Sequence, residues 1–540
     1  MYLKEVIQKS KKKGDRRYLQ FVESVRTDRG PRQKILVNIG RVDDKSGRER
    51  LDVLTESLLK VSQTIRLLDY ESDIEGKSSK QFGCELIFRR LFADIGIHDI
   101  LAKAFDGIRT DFDVKDALFN LVLNRLSAPA SKHAVTDWQD DEFQIRQYDL
   151  HQYYRAMDYL EDDRDAIEKA LFSQMKSLST SRKSEVSIAL FDTTSVVYYG
   201  DGDEEESFLN YGFSKARRSD LKQIVVGVAM THDGVPLSHQ SYSGNTNDQS
   251  CFKQIIEKFV NKLGQSDTTF VGDRGLMSQK NVELLVSSGY SYILGFKMRT
   301  LPKADRAALL NKADLKQIKK NLEYRDIEYN GKRLIIYYNE ERAKKDKEKR
   351  DEILERIKEK IKGGTIKSII SNKDYKKFLN IEGKDPTLDQ GKVDADAAFD
   401  GIFILTTNTQ VKASKAVSTY RALWQCEAGF RTLKTELELQ PLYHRKERRI
   451  RSHVFICFLA LVCKNLLIKK LRSVDEAISY RKTIADLKRL QAMTIRIHKT
   501  TVTTRTEVGE HAKVAFKALS MAHPKKVLSY DNENLIAIRQ

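Results

Sequence analysis

The sequence predicts an α/β fold: a sheet-based core interrupted by a mixed β/α insertion and preceded by a small β unit and a helical region. Three observations predict it. Hydrophobic periodicity changes at Val186, where VSIALF runs apolar without alternation, as in a strand covered on both faces. Short apolar strands then alternate with amphipathic helices as far as Phe296. A charged stretch at 300–412 breaks that alternation before an amphipathic helix resumes at Tyr420. The divisions that follow are 1–45, 46–180, 185–299, 300–412, 413–480 and a tail at 481–540.

Residues 1–45 read as a small β unit. Arg17–Arg26 leads into the turn Asp28-Arg29-Gly30-Pro31, and Ile35, Val37 and Ile39 alternate as in a half-buried strand. The unit is basic through Lys11, Lys12, Lys13, Arg16, Arg17, Arg26, Arg29, Arg32 and Lys34, which favours DNA contact over a merely solvated face. Residues 46–80 read as polar helix and then linker around Gly76-Lys77-Ser78-Ser79. Helices follow to about Thr180; Asp113 is placed to cap Val114–Leu126, and Pro129 ends that helix.

In the core, VSIALF delivers Asp192. Further strands are expected at Gln223–Met230, Pro236–Ser241, Thr268–Gly272, which delivers Asp273, and Tyr290–Phe296. A helix carries Phe252, Ile255, Ile256, Phe259 and Leu263 on one face and stops at Gly264; another lies near Gln279–Val286. In the insertion, Asn330-Gly331 joins a strand pair, a charged helix ends at Gly363-Gly364, and Gly401–Thr407 is an apolar strand. The tail reads as helical with polar loops.

Composition limits the function. The 540 residues are 40% hydrophobic and 32% charged, so the chain has ample apolar material for a core. A net charge of +19 and a pI of about 9.4 point to a polyanionic partner, with nucleic acid first. MYLKEVIQKSKKKG has no apolar stretch behind its charges, and Val454–Cys463 is too short to span a bilayer, so a cytoplasmic location is expected. The five cysteines form no CxxC pair and there is no HExxH, which argues against zinc and disulfides. Gly76-Lys77-Ser78 lacks the earlier glycine of a phosphate loop, since Glu71 stands there.

The stretch YRALWQCEAGFRTLK, Tyr420–Lys434, carries the densest chemistry. Read as one helix, it places Leu423, Cys426, Phe430, Leu433 and Leu437 on an apolar face. Tyr420, Trp424, Glu427, Arg431 and Lys434 form an adjacent polar stripe. Asp192 and Asp273, each after an apolar strand, would meet Glu427 at the sheet edge where α/β proteins bind ligands. Carboxylates ~4 Å apart repel by about 4 kcal/mol per pair at an effective dielectric of ~20, a cost that a divalent cation relieves. Oxygen-only donors suit Mg²⁺ or Mn²⁺. Each residue also has a plainer reading: a strand-end Asp can be a turn residue, Glu427–Arg431 a surface pair, and Trp424 part of the core. Asp201, Asp203, Glu204, Glu205 and Glu206 read as a solvated loop, and His232 and His239 as structural or surface residues.

Together these segments resemble bacterial insertion-sequence transposases of the DDE type, in the group with a Tyr-Arg-Glu-Lys signature and a long insertion before the glutamate. Tyr420, Glu427 and Lys434 fall in register with that signature, while Leu423 stands at its Arg position. FDTTSV resembles the first catalytic block, FVGDRGLMS the second and SGNTNDQ the loop between them. NRLSAPASK and VESVRTDRGPRQKILVNIGRVDD also look familial. The resemblance implies an RNase H-like core and a transposase that binds terminal inverted repeats, cleaves the DNA ends and transfers the 3′ strands to target DNA. It implies Asp192, Asp273 and Glu427 as catalytic residues holding two Mg²⁺ ions (Mn²⁺ as substitute), and a homodimer in the synaptic complex. It places Tyr420, Trp424, Arg431 and Lys434 on DNA beside the N-terminal Lys12, Arg16, Arg17 and Arg32. Two alternatives stay open on sequence: an endonuclease without strand transfer, and a non-catalytic DNA-binding protein derived from such an enzyme.

Overall fold

A computed structural model describes residues 2–9, 16–27, 30–43, 47, 49–55, 57–58, 74–179, 187–200, 208–215, 218–263, 268–298, 301–311, 314–363, 373–381, 386–497 and 500–532. Lys11, Lys12, Lys13, Asp28, Arg29, the acidic run from Asp201 to Glu206, Gly264 and Gly364 lie outside them. The chain divides into two compact units: one of Met1–Ser79, Ala492–Arg505 and Lys525–Gln540, the other of Lys80–Gln491 and Thr506–Pro524.

The first unit holds two sheets. Strands β1 (Tyr2–Gln8), β2 (Arg16–Thr27) and β3 (Gly30–Arg41) form one, in that order. β1 is a strand that the sequence reading did not find. The second sheet contains β4 (Ile74–Gln81), so the glycine–serine stretch expected as linker is extended and paired. Its partners come from the tail, which is therefore not simply helical: Gln491–Ile497, Thr500–Arg505 and Val527–Asn532 are all strands. The threonine-rich sequences there, such as TTVTTR, favour extended backbone.

In the second unit, helices come first. Asp113 accepts from the amides of Lys115 and Asp116 and caps Val114–Ser127, as its short side chain before an apolar run predicts. Helices Leu150–Asp162 and Arg164–Ser179 follow. The 28-residue helix Glu447–Val474 contacts Val114–Ser127 and Leu150–Asp162, and every residue from Ser452 to Lys464 is buried. Among the described residues, no helix is long and apolar enough to cross a membrane.

A nine-stranded mixed sheet dominates this unit. Its strands are β5 (Ser187–Val197), β6 (Gln223–Met230), β7 (Pro236–Ser243), β8 (Thr268–Gly272), β9 (Ser291–Gly295), β10 (Lys316–Lys319), β11 (Leu322–Tyr329) and β12 (Lys332–Asn339), with a two-stranded pair β13 (Leu379–Asn380) and β14 (Thr387–Leu388) apart from it, and then β15 (Ile402–Thr407). The order is β10-β11-β12-β15-β9-β8-β5-β6-β7. β5, β8 and β9 run parallel, and β6 and β7 are antiparallel to their neighbours. The Asn330-Gly331 hairpin expected in the insertion is not a separate sheet: β12 pairs with β15, and β15 pairs with β9. The charged helix Glu340–Lys362 instead buries Ile357 in a small cluster with Phe378, Leu379 and Val393.

Two expectations about the motif-bearing elements are corrected. Asp192 is not at a strand end. DTTSVV continues β5 to Val197 by pairing with β6, from Asp192 opposite Val228 to Val197 opposite Gln223. Its β-branched residues favour that extension. Nor is Tyr420–Lys434 one regular helix. Ala413–Arg421 and Trp424–Arg431 are separate helices, joined where Leu423 N–H bonds back to the Tyr420 carbonyl and Gln425 N–H to that of Ala422. These three-residue bonds overwind the chain locally, and a π-helical turn, Thr432–Glu436, follows.

Candidate active site

The sheet register sets the site. Phe191 on β5 lies beside Gly272, the last residue of the parallel strand β8, so Asp192 comes next on β5 and Asp273 directly after β8. β8 ends there while β5 runs on, which opens an edge on one side of Asp192. Gly275 and Leu276 donate their N–H groups to Asp273 Oδ1 at 2.8 and 3.2 Å and lock the carboxylate in a turn. Asp192 Oδ1 accepts from Thr193 N–H at 2.7 Å. Burial pushes the Asp192 carboxyl up to about 6, against the pull of Lys215 and Thr193 N–H, and Asp273 and Asp248 push it further.

The helix bearing Glu427 is seated on β5 and β6. The Cys426 thiol reaches the Leu190 carbonyl at 3.5 Å, and Gly429 lies against Met230. Asp192 and Glu427 both act electrostatically on that thiol, which burial raises far above its ordinary range. Glu427 itself faces solvent. Among the described residues, no three His, Cys, Asp or Glu side chains gather in a group that could hold a metal ion. The expected convergence of Asp192, Asp273 and Glu427 on one point is thus not closed in this structure: the two aspartates are neighbours, and Glu427 stands on the helix that covers their sheet.

Tyr420 approaches the same strand ends. A Cβ on Gly295 would lie 2.8 Å from its Oη and 2.7 Å from the Arg274 amide, so only glycine admits this contact. Burial, then Asp273, push its phenol up to about 12. Lys434 is half-buried; burial, and then Lys215, bring its ammonium down to about 8. Trp424 is 58% exposed, so it is not part of the core, and Arg431 is also exposed. A cavity of about 760 Å³ opens beside Asp273 and Tyr420, walled by Arg274 and Lys297 and, from the insertion, by Arg342 and Lys349.

The N-terminal cations belong to the other unit. Lys12 lies outside the described residues, Arg16 and Arg17 are on β2, and Arg32 is on β3. Arg17 is engaged by Glu5 at 3.3 Å in an exposed pair. Three of the cations after Pro441 are also partnered: Arg448 by Asp158 and Asp162, Arg449 by Asp158 and Arg451 by Glu447.

Sequence reasoning missed three residues. Asp248, in SGNTNDQ, accepts the Thr193 hydroxyl at 2.6 Å on Oδ1; only the resemblance of that loop singled it out. Lys215 stands 3.7 Å from Asp192 Oδ1, and nothing in the spacing around it pointed there. Arg125, in NRLSAPASK, is buried and donates to the carbonyls of Leu437 and Glu438 at 3.4 and 3.3 Å, fixing the chain just after the Glu427 helix.

Comparison with known proteins places this arrangement. The family model for the transposase DDE domain matches residues 183–463, and that for the N-terminal domain of IS1634 family transposases matches residues 3–71. Among solved structures, a piggyBac transposase synaptic complex with hairpin DNA is similar with a TM-score of 0.37 and 9% identity, over 75% of this chain and 79% of that one. A search of curated proteins finds no match. The DDE match spans more than half of the chain and contains both aspartates and Glu427, and the chain belongs to the DDE transposases of insertion sequences.

Proposed function

We propose that the chain binds the terminal inverted repeats of its own element, cleaves the DNA ends and joins the 3′ strands to target DNA, with Asp192, Asp273 and Glu427 as its catalytic acids. The observation that carries this reading is the register of parallel β5 and β8, which puts Asp192 beside the chain end of β8 that delivers Asp273, under the Glu427 helix. The meander β5-β6-β7 beside parallel β8 and β9 supports an RNase H-like core.

The donor chemistry fits a hard divalent cation, Mg²⁺ with Mn²⁺ as substitute: only carboxylate oxygens are offered, and the Asp192 charge is buried and crowded by other acids. When bound, a pair of such ions would activate the attacking water or 3′-hydroxyl and stabilise the leaving oxygen. The protein's own groups do the rest. The amides of Gly275 and Leu276 fix the Asp273 carboxylate, so its approach to the ion costs little reorganisation. Lys434 and Tyr420 hold phosphate near the cut, and exposed Trp424 offers an aromatic face to a base drawn from the terminus. The basic N-terminal sheet, with Arg16, Arg17, Arg32 and the Lys12 segment, recognises the end, and two chains pair two ends. A cleavage assay on end DNA tests the reading: activity requires Mg²⁺ or Mn²⁺ and is lost in Asp192→Asn while binding persists. Cutting without divalent metal would reject it.

A further inference from the structure

Lys215 is tied to the strand that carries Asp192. Its backbone N–H donates to Ser195 Oγ at 2.9 Å. Its ammonium donates to the Thr193 carbonyl at 2.5 Å, reaches Thr193 Oγ1 at 3.2 Å and stands 3.7 Å from Asp192 Oδ1. The same threonine hydroxyl donates to Asp248, and Asp273 directly follows the adjacent strand. A positive group therefore already sits among the acids that the proposed reaction needs for metal. Its side chain is 37% exposed, so the ammonium can leave without unpacking the core.

We propose that Lys215 is the resident counter-cation of this site: its ammonium holds the place beside Asp192 in the metal-free protein, and a divalent cation must displace it. The inference rests on Asp192 being a metal ligand. Metal entry is then an exchange of one cation for another, in which the acids are never left uncompensated. The empty site is protected from repulsion, and at low metal the resident cation opposes loading. Once displaced, the ammonium moves to the solvent side, where it can meet phosphate along with Lys434.

The test uses the full chain without DNA and Mn²⁺ as probe, with free Mn²⁺ read by electron paramagnetic resonance. An opposite charge at this distance is worth one or more decades in the equilibrium of a charge at the carboxylate. Lys215→Met, which keeps length but not charge, is expected to bind Mn²⁺ about tenfold tighter or more. Lys215→Arg, which keeps the charge, should stay within about threefold of the parent. A second readout needs no substitution: Mn²⁺ should raise acetylation of Lys215 by an amine-specific reagent, read by mass spectrometry, several-fold over that of surface lysines. Unchanged or weaker Mn²⁺ binding in Lys215→Met, or acetylation indifferent to Mn²⁺, would overturn the proposal and leave Lys215 as a brace for the Thr193 carbonyl. Asp192→Asn separates the two levels: it should abolish the Mn²⁺ binding, and if it does not, the assignment of Asp192 fails and the counter-cation with it.

Discussion

Gly429 is where the Glu427 helix meets the sheet, and filling it should misplace Glu427. A Cβ there would lie 2.3 Å from Met230 Cε and 3.7 Å from Leu461 Cδ2. Carbon atoms rest at ~3.5–4.0 Å, so either the Met230 methyl moves by more than ~1 Å or the helix lifts by as much. Met230 is fully buried, so its methyl has to move within a packed core. Overpacking of this kind costs ~1–3 kcal/mol. A ~1 Å displacement of a catalytic group costs ~100-fold in rate. Gly429→Ala is therefore expected to stay folded, lose ~1–3 kcal/mol of stability in denaturant unfolding, and nick end DNA ~100-fold more slowly. Adding Met230→Leu, which removes the terminal methyl, should recover part of both losses, so that the two changes are coupled rather than additive. If Gly429→Ala cuts within about threefold of the parent, the seating of this helix does not position Glu427.

Trp424→Ala should slow cleavage while changing stability by no more than ~1 kcal/mol, because an exposed ring leaves no cavity; a core tryptophan would cost ~3–5 kcal/mol. The metal-free protein should lose stability as pH rises. The Asp192 carboxyl titrates near 6 when folded and near 3.8 otherwise. Folding therefore favours its neutral form, a contribution complete below about pH 4 and lost as pH passes 6, at most ~3 kcal/mol in all. Asp192→Asn should flatten that slope in urea unfolding measured across this range, and a slope unchanged by the substitution would remove Asp192 as its source. End binding through about six phosphate contacts should weaken with salt at a log–log slope near −5. A chain starting at Ile74, without the N-terminal sheet, should lose its preference for end over random DNA in competition gel shifts; a preference as strong as the full chain's would move recognition elsewhere.

Much of the sheet was legible because strands buried on both faces are written as near-continuous apolar runs. Gln223–Met230 and Thr268–Gly272 occur where periodicity places them. The extent of β5 was not, because DTTSVV contains polar residues that pair only when β6 is folded beside them. Ile74–Gln81 misled for a related reason: glycine and serine mark loops locally, and the strand exists through partners more than 400 residues away in sequence. In the candidate site, strand-delivered Asp192 and Asp273 could be found from the runs before them. Lys215 and Asp248 could not, since each comes to Thr193 through the tertiary fold and carries no periodic signal. The break at Ala422–Leu423 was hidden because both residues are compatible with regular helix.

The central claim is that Asp192, Asp273 and Glu427 act as one unit in cutting DNA ends. The direct measurement is Mg²⁺-dependent cleavage of end DNA by Asp192→Asn, Asp273→Asn and Glu427→Gln, singly and combined, beside a gel shift on the same DNA. Each substitution keeps shape and removes one charge. If the three form one site, every single variant should abolish cutting about as fully as the triple one, because losses within a unit do not add. End binding should persist or tighten as repulsion toward phosphate falls. Near-normal cutting by any one variant would contradict the claim and return that residue to a structural role.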